Sequence, residues 1–299
     1  MQIKLQNEFG SFEIGGGSHP IARLIEITGI GIPAKEDKSI TFEGQAGSTL
    51  TNIRDTTRTI TMSFDFYGDE REVEKLYRII YRAVTMTFYL GNRRRKIDCV
   101  CKVATEIEKI IYHKWQKIVL QFFCYDPYFY DVCDTKYPVS KVTDQLPNLN
   151  ENTEWYIQLP AIATVRTNYT MVKNQGDIEI HPVITLKSNQ EITLLSEDNY
   201  VVLRNLTTGK VLTLNYAMAT NEVIKIDLPN RAITSNVNGD ITNYISSDTV
   251  LGDFILQLGN NEIEIESTDN NIFAVIEYSN KYVSVVIWYV RYKILWFGF

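Results

Sequence analysis

Four cysteines, three histidines and one run of cations are the residues of this chain best placed to do chemistry. Cys99-x-Cys101, taken with Cys124, Cys133 and His113, raises a zinc site. The spacing opposes it. Structural zinc is usually held by Cys-x₂₋₄-Cys knuckles on turns, whereas Cys99, Cys101 and Cys124 fall in phase with the apolar faces of strands. They read as small, buried, inert thiols. His19 and His181 each precede a proline, which is turn chemistry. No G-x-S-x-G, H-E-x-x-H or P-loop motif is present. Glu262, Glu264 and Glu266 alternate along one strand, the pattern of a solvated face rather than of a glycosidase pair. Arg93-Arg94-Arg95-Lys96 puts four cations on one polar turn without interleaved aromatics. That run suits a hairpin tip in water, or one meeting an acidic neighbouring subunit. The formal charge is −6, which argues against general nucleic-acid binding because phosphate neutralisation needs a basic face. Trp155, Tyr156 and Tyr244 are candidates for a sugar-stacking platform. No catalytic residue, cofactor or metal is expected.

These residues need elements to hold them. At 299 residues with 44% hydrophobic and 22% charged content, the chain has room for two globular domains. Met1–Gln6 is mixed and has no apolar leader, so the default is reduced thiols. The apolar run from Tyr282 to Phe299 holds only eight residues, Val283 to Val290, between Lys281 and Arg291. A span needs roughly 20 apolar residues, so a buried terminal strand is expected and no membrane span.

The fold class read from the pattern is mainly β. The first 133 residues form an α+β sandwich with one helix and a hairpin. Ile60, Met62, Phe64 and Phe66 alternate on one strand face. Asp69-Glu70-Arg71-Glu72 has the form of a capping box. Val73, Leu76, Tyr77, Ile80, Ala83 and Val84 then recur with helical period, which predicts a helix of about four turns from Asp69 to Thr85. Met86–Leu90 is strand again. Ile97, Cys99, Cys101 and Val103 alternate on the next strand, and Ile118, Leu120, Phe122 and Cys124 on the one after. That strand is stopped by Tyr125-Asp126-Pro127-Tyr128-Phe129, because Pro127 donates no hydrogen bond and pushes Asp126 out of the α region. Residues 134–153, with Pro138 and Pro147, read as a linker. From 154 to 299 short strands recur between Asn- and Gly-rich turns, predicting an all-β sandwich. They include Asp177–Leu186, Tyr200–Leu206, Val211–Asn215, Glu222–Leu228, Phe254–Leu258, Ile263–Ser267 and Val283–Tyr292.

Three stretches resemble the phage distal tail protein (siphophage tail-component) family. The first is Ile27-Thr28-Gly29-Ile30-Gly31, then Gly44-Gln45-Ala46-Gly47-Ser48 and Arg58 to Phe66, followed by the capped helix. The second is the Tyr125-Asp126-Pro127-Tyr128-Phe129 corner. The third is Asn174-Gln175-Gly176-Asp177 with His181-Pro182-Val183-Ile184-Thr185, continued by Asn205-Leu206-Thr207-Thr208-Gly209 and Leu258 to Ile263. They occur in order along nearly the whole chain.

The resemblance implies that residues 1–133 form a ring-forming belt domain and 154–299 a galectin-like or jelly-roll domain. It implies a homo-hexamer at the virion tail tip or baseplate. Its partners would be the tail tube protein and the baseplate hub, tail-associated protein or tail fibre. The protein would be made in the host bacterial cytoplasm and have no enzyme activity. Expected interface residues are Asp69, Leu76, Tyr77 and Ile80 on the helix, Arg93, Arg94 and Arg95 on the basic turn, and Asp126, Pro127 and Tyr128 at the corner. Two other readings stay open: a carbohydrate-binding module for cell-wall saccharide, and a jelly-roll glycoside hydrolase.

Overall fold

The computed structural model describes residues 1–16, 21–44, 46–91, 93–105, 115–132, 135–139, 168–188, 201–219, 221–267 and 272–285. The chain divides into two compact units, Met1–Val132 with Tyr282–Phe299, and Cys133–Lys281. The first unit is therefore discontinuous. The sequence reading gave everything from 154 onward to the second domain; the structure returns the chain to the first unit at Tyr282.

The first unit contains β1 (Gln2–Asn7), β2 (Gly10–Ile14), β3 (Ala22–Thr28), β4 (Lys35–Ile40), β5 (Thr49–Asp55), β6 (Arg58–Phe66), α1 (Glu70–Ile80), β7 (Ala83–Leu90), β8 (Arg93–Ala104), β9 (Gln116–Cys124) and β10 (Phe129–Asp131). One antiparallel sheet runs β2-β1-β7-β8-β9-β6-β3, with β10 beside β8. The period-2 pattern sets its buried face. Ile60, Met62, Phe64 and Phe66 of β6 meet Ile118, Leu120 and Phe122 of β9 in the core, and Val73, Leu76, Ile79 and Ile80 of α1 pack into the same cluster.

The Asp69 carboxylate accepts from the Glu72 amide at 3.1 Å, so the helix starts as expected. It ends five residues early, however, at Ile80 with its cap at Tyr81. Ala83 and Val84 fit the helical period by coincidence. They belong to β7, which pairs with β8 from Ala83↔Val100 to Leu90↔Arg93. The alternation Val84-x-Met86-x-Phe88 buries three large side chains against the sheet, and ladder pairing outcompetes one more helical turn. The basic run also differs from expectation. Leu90 pairs with Arg93, so only Gly91 and Asn92 intervene and the four cations open strand β8. On β8, Val103 leaves the buried face because the register shifts between Cys101 and Val103.

The second unit contains β11 (Thr135–Val139), β12 (Asn168–Asn174), β13 (Val183–Ser188), β14 (Val201–Asn205), β15 (Lys210–Leu214), β16 (Val223–Asp227), β17 (Ala232–Ser235), β18 (Gly239–Asp240), β19 (Gly259–Ser267) and β20 (Ile272–Tyr278). Two antiparallel sheets, β11-β20-β13-β16-β17-β18 and β12-β19-β14-β15, share one apolar cluster between them. This is a β-sandwich. β11 lies inside the stretch read as linker. Its Pro138 is tolerated because β11 is an edge strand. Asp177–Leu186 becomes strand only from Val183, and Phe254–Leu258 keeps a single bridge, Leu256 to Ile180. Of the expected terminal strand, only Val283–Val285 falls within the described residues, and these three extend beyond any ladder.

The Asn-rich turns have a physical cause. Asn205 is fully buried, accepts from the Thr207 and Thr208 amides at 3.0 and 3.2 Å, and donates to the Ile255 carbonyl at 2.7 Å. Asn261 bonds both the amide and the carbonyl of Gln257, at 2.8 and 2.7 Å. Each side chain replaces backbone partners that a tight turn removes.

Candidate assembly interface

Hairpin β4–β5 stands apart from the main sheet. Every residue of β4 is exposed, and so is every residue of β5 before Asp55. Its apolar side chains are uncovered: Ile32, Ile40, Phe42, Leu50 and Ile53 range from 49% exposed at Ile40 to 74% at Ile32. Internal bonds hold the ribbon together. Arg54 pairs with Glu36 across it at 2.5–2.7 Å, and the Thr51 hydroxyl donates to the Lys38 carbonyl at 2.7 Å. A two-stranded ribbon is marginal in water by itself.

The base of the hairpin is built more firmly. Arg58, the first residue of β6, is 3% exposed and carries a buried cation. Its Nε donates to the Pro127 carbonyl at 2.7 Å. One terminal nitrogen donates to the Gly29 and Gly31 carbonyls, both at 2.6 Å, and the other to Val283 at 2.7 Å. The Phe129 ring lies 4.6 Å from the guanidinium carbon. Burial pulls the Arg58 pKa down, while Cys124 and Asp55 act against that. Gly29 supplies its carbonyl only because it is glycine: its φ is +81°, and a Cβ there would sit 2.0 Å from the Thr59 carbonyl oxygen.

The corner residues fasten the same base. The Tyr128 hydroxyl donates to Asp55, the last residue of β5, at 2.6 Å. Asp126 accepts from the Tyr128 amide at 3.1 Å and from the Tyr130 hydroxyl. Burial, then the neighbouring carboxylates, push both Tyr128 and Tyr130 well above the ordinary phenol pKa. Thr56 donates from amide and hydroxyl to the Ala34 carbonyl, at 2.8 and 3.0 Å.

A second exposed surface lies where α1 ends. Tyr81 is 85% exposed, Phe9 is half-exposed, and Arg82 lies over the Phe9 ring at 5.1 Å. Beside them an open cleft of about 500 Å³ is lined by Asn7, Glu8, Arg82 and Ala83.

The expected interface residues thus separate. Asp126, Pro127 and Tyr128 come together with Arg58 at the hairpin base. Arg93 and Arg94 are exposed on β8, with Arg94 5.5 Å from the Tyr89 ring. Arg95 points elsewhere: its guanidinium lies 3.6 Å over the Tyr282 ring and donates to the Ser284 carbonyl. Leu76 and Ile80 are corrected outright. They are 0% and 5% exposed and serve the subunit's own core, the normal fate of the apolar stripe of an amphipathic helix. Asp69 acts as a helix cap, and the Tyr77 hydroxyl donates to the Thr105 carbonyl at 3.1 Å. Arg58 and hairpin β4–β5 are not among the interface residues expected from sequence. A lone arginine opening an otherwise apolar β6 face, at Ile60, Met62 and Phe64, was the available signal.

Elsewhere the polar clusters are structural. Arg204 bonds Glu264 at 3.2 Å and also Glu266, so two of the alternating carboxylates are neutralised. His181 bonds the Gly252 carbonyl at 3.0 Å. Cys99 and Cys124 are buried; the adjacent Cys124 thiol, then burial, push the Cys99 pKa far up. Cys133, His19, His113, Trp155 and Tyr156 lie outside the described residues. Tyr244 is exposed and edge-on to Tyr216 at 5.1 Å. Among the described residues there is no group of three or more metal-binding side chains, and no helix long and apolar enough to cross a membrane.

Residues 175–282 match the family model for the siphovirus-type tail component, C-terminal domain. Among solved structures, the SPP1 Dit protein is described as a paradigm of hub adsorption apparatus in phages infecting Gram-positive bacteria. It superposes with a TM-score of 0.61 at 17% identity, covering 87% of this chain and 93% of that one. That likeness establishes a shared fold. A chain of the phage P2 baseplate in its activated conformation aligns with a TM-score of 0.48 at 11% identity, over 93% of this chain and 97% of its own. No curated protein matches the chain.

Proposed function

We propose that this protein is a hexameric ring subunit of a phage tail tip or baseplate. It joins the tail tube to the hub or tail-fibre apparatus and acts without catalysis. The carrying observation is hairpin β4–β5, a largely polar ribbon exposed on both faces that leaves Ile40, Leu50 and Ile53, with Ile32 and Phe42 beside it, uncovered. Large exposed apolar patches mark partner sites. A ring needs two different patches on each subunit, one inserting and one receiving, so that a rotation of about 60° closes after six copies. Each copy offers both: the hairpin, and the Tyr81–Phe9–Arg82 surface with its cleft, which is rich in the side chains that anchor interfaces. A second copy of this chain is therefore the occupant. The family-model match of residues 175–282 and the Dit-like fold support the tail location; synthesis in the host bacterial cytoplasm is part of the same proposal.

The test is the mass of the purified chain in solution or on a tail-tube template. A ring has a mass near six times the 34.5 kDa of one chain. Phe42→Asp with Leu50→Asp should return it to the mass of one chain without lowering its melting temperature. An oligomer unaltered by that pair would overturn the hairpin contact, and saccharide binding by a strictly monomeric chain would favour the cell-wall module instead.

A further inference from the structure

We propose that the returning segment Tyr282–Val285 is the element that aims the assembly hairpin, so that ring competence depends on a segment distant in sequence from the hairpin. This deepens the ring reading and rests on it. Five contacts tie the segment to the rest of the first unit. Arg58 donates to the Val283 carbonyl at 2.7 Å while its other nitrogens hold Gly29, Gly31 and Pro127. The Val285 amide donates to the Ile30 carbonyl at 2.9 Å, between those two glycines, and the Val285 side chain is buried. Arg95 covers the Tyr282 ring and donates to Ser284. The Tyr282 hydroxyl donates to Asp131 at 3.3 Å.

All of this acts on the stretch that leads into β4. Gly29–Gly31 has three carbonyls facing inward partners, and two of the three bonds need Arg58 while the third needs Val285. On the other side of the hairpin, β5 is held by Tyr128 at Asp55 and by Thr56 at Ala34. Without residues 282–285 the Ile30 carbonyl loses its donor, and Arg58 loses one of the four acceptors that fix its fork. The β5 leg keeps its fastenings, while the β4 leg keeps only Thr56 at Ala34 and an Arg58 fork short of one acceptor. A marginal two-stranded ribbon amplifies such a loss, since its own bonds cannot set its direction.

The experiment compares amide hydrogen exchange in the full-length chain, the Arg95→Gln variant and a chain ended after Lys281, all at concentrations below assembly. Amides of β4, Lys35–Ile40, are expected to exchange about tenfold faster in both altered chains, with β9 and α1 unchanged within about twofold. Hairpin exchange that stays at the full-length rate in both overturns the proposal. So does loss of protection throughout β6 and β9, which would make the segment a general piece of the core. Exchange is read on single chains, so a chain that never forms rings sinks the ring reading while leaving this comparison decisive.

Discussion

Replacing Arg58 with methionine removes a buried cation of similar length and leaves four carbonyls without a donor. The bonds lost are 2.6–2.7 Å long and all come from one charged group. Charge-assisted bonds contribute about 1.5–3 kcal/mol each, so the gross loss is about 6–12 kcal/mol. Two effects reduce it. Methionine avoids the desolvation of a guanidinium, which costs several kcal/mol, and the Gly29 and Gly31 carbonyls are only partly buried, so water replaces some of what is lost. A net destabilisation of about 3–4 kcal/mol remains. For a unit of this size that lowers the melting temperature by about 8–14 °C. Scanning calorimetry should show the fall in the transition of the first unit, with the second unit's transition in place. Arg58→Lys should recover less than half, because an ammonium lacks the planar fork that reaches carbonyls in several directions. A shift under about 3 °C for Arg58→Met, below what one lost bond predicts, would refute the idea that this cation organises the hairpin base.

Other outcomes follow from the same geometry. Gly29→Ala should destabilise the first unit by about 3 kcal/mol or more, since a Cβ meets backbone and φ is positive, whereas Gly47→Ala, at φ +87° with open space, should cost about 1 kcal/mol; urea melts of the two variants separate the cases. Reversing Arg93 and Arg94 together should leave the melting temperature within about 2 °C, as expected for exposed charges, and a ring contact there would appear as altered salt dependence of assembly. Asn205→Ala should cost the second unit about 2–4 kcal/mol by orphaning two turn amides and the Ile255 carbonyl. Because folding raises the pKa of Tyr128 and Tyr130, first through burial, their contribution is fully present below the unfolded phenol value and is lost as pH rises above it. Alkaline melts read with tyrosinate absorbance should show the first unit weakening from about pH 10 upward, and less so in a Tyr128→Phe, Tyr130→Phe variant.

Period and punctuation made most of the architecture legible. The β6 and β9 alternations and the Asp69 cap name their own faces, and recurrent Asn and Gly turns announce a sandwich. The errors arose where two patterns overlapped or where distance along the chain mattered. Ala83 and Val84 satisfied a helical period and a strand period at once, and only pairing with β8 decides between them. Pro138 suggested a linker because a sequence does not say which strand will be an edge. β4 and β5 carry no alternation because neither face is buried in the subunit, so the most interface-like element had the weakest signal. Arg58 stood out only as a lone cation on the β6 face, and its role was hidden for a different reason: its partners come from residues 29, 31, 127 and 283, and no local window contains them.

The discontinuity of the first unit has a consequence for variation. The chain leaves that unit after β10 and comes back at Tyr282, whose hydroxyl touches Asp131 at 3.3 Å. The two attachment points are thus neighbours on one scaffold. Any autonomous fold whose own ends lie side by side fits between them as a cassette, and the first unit need not change when the cassette is exchanged.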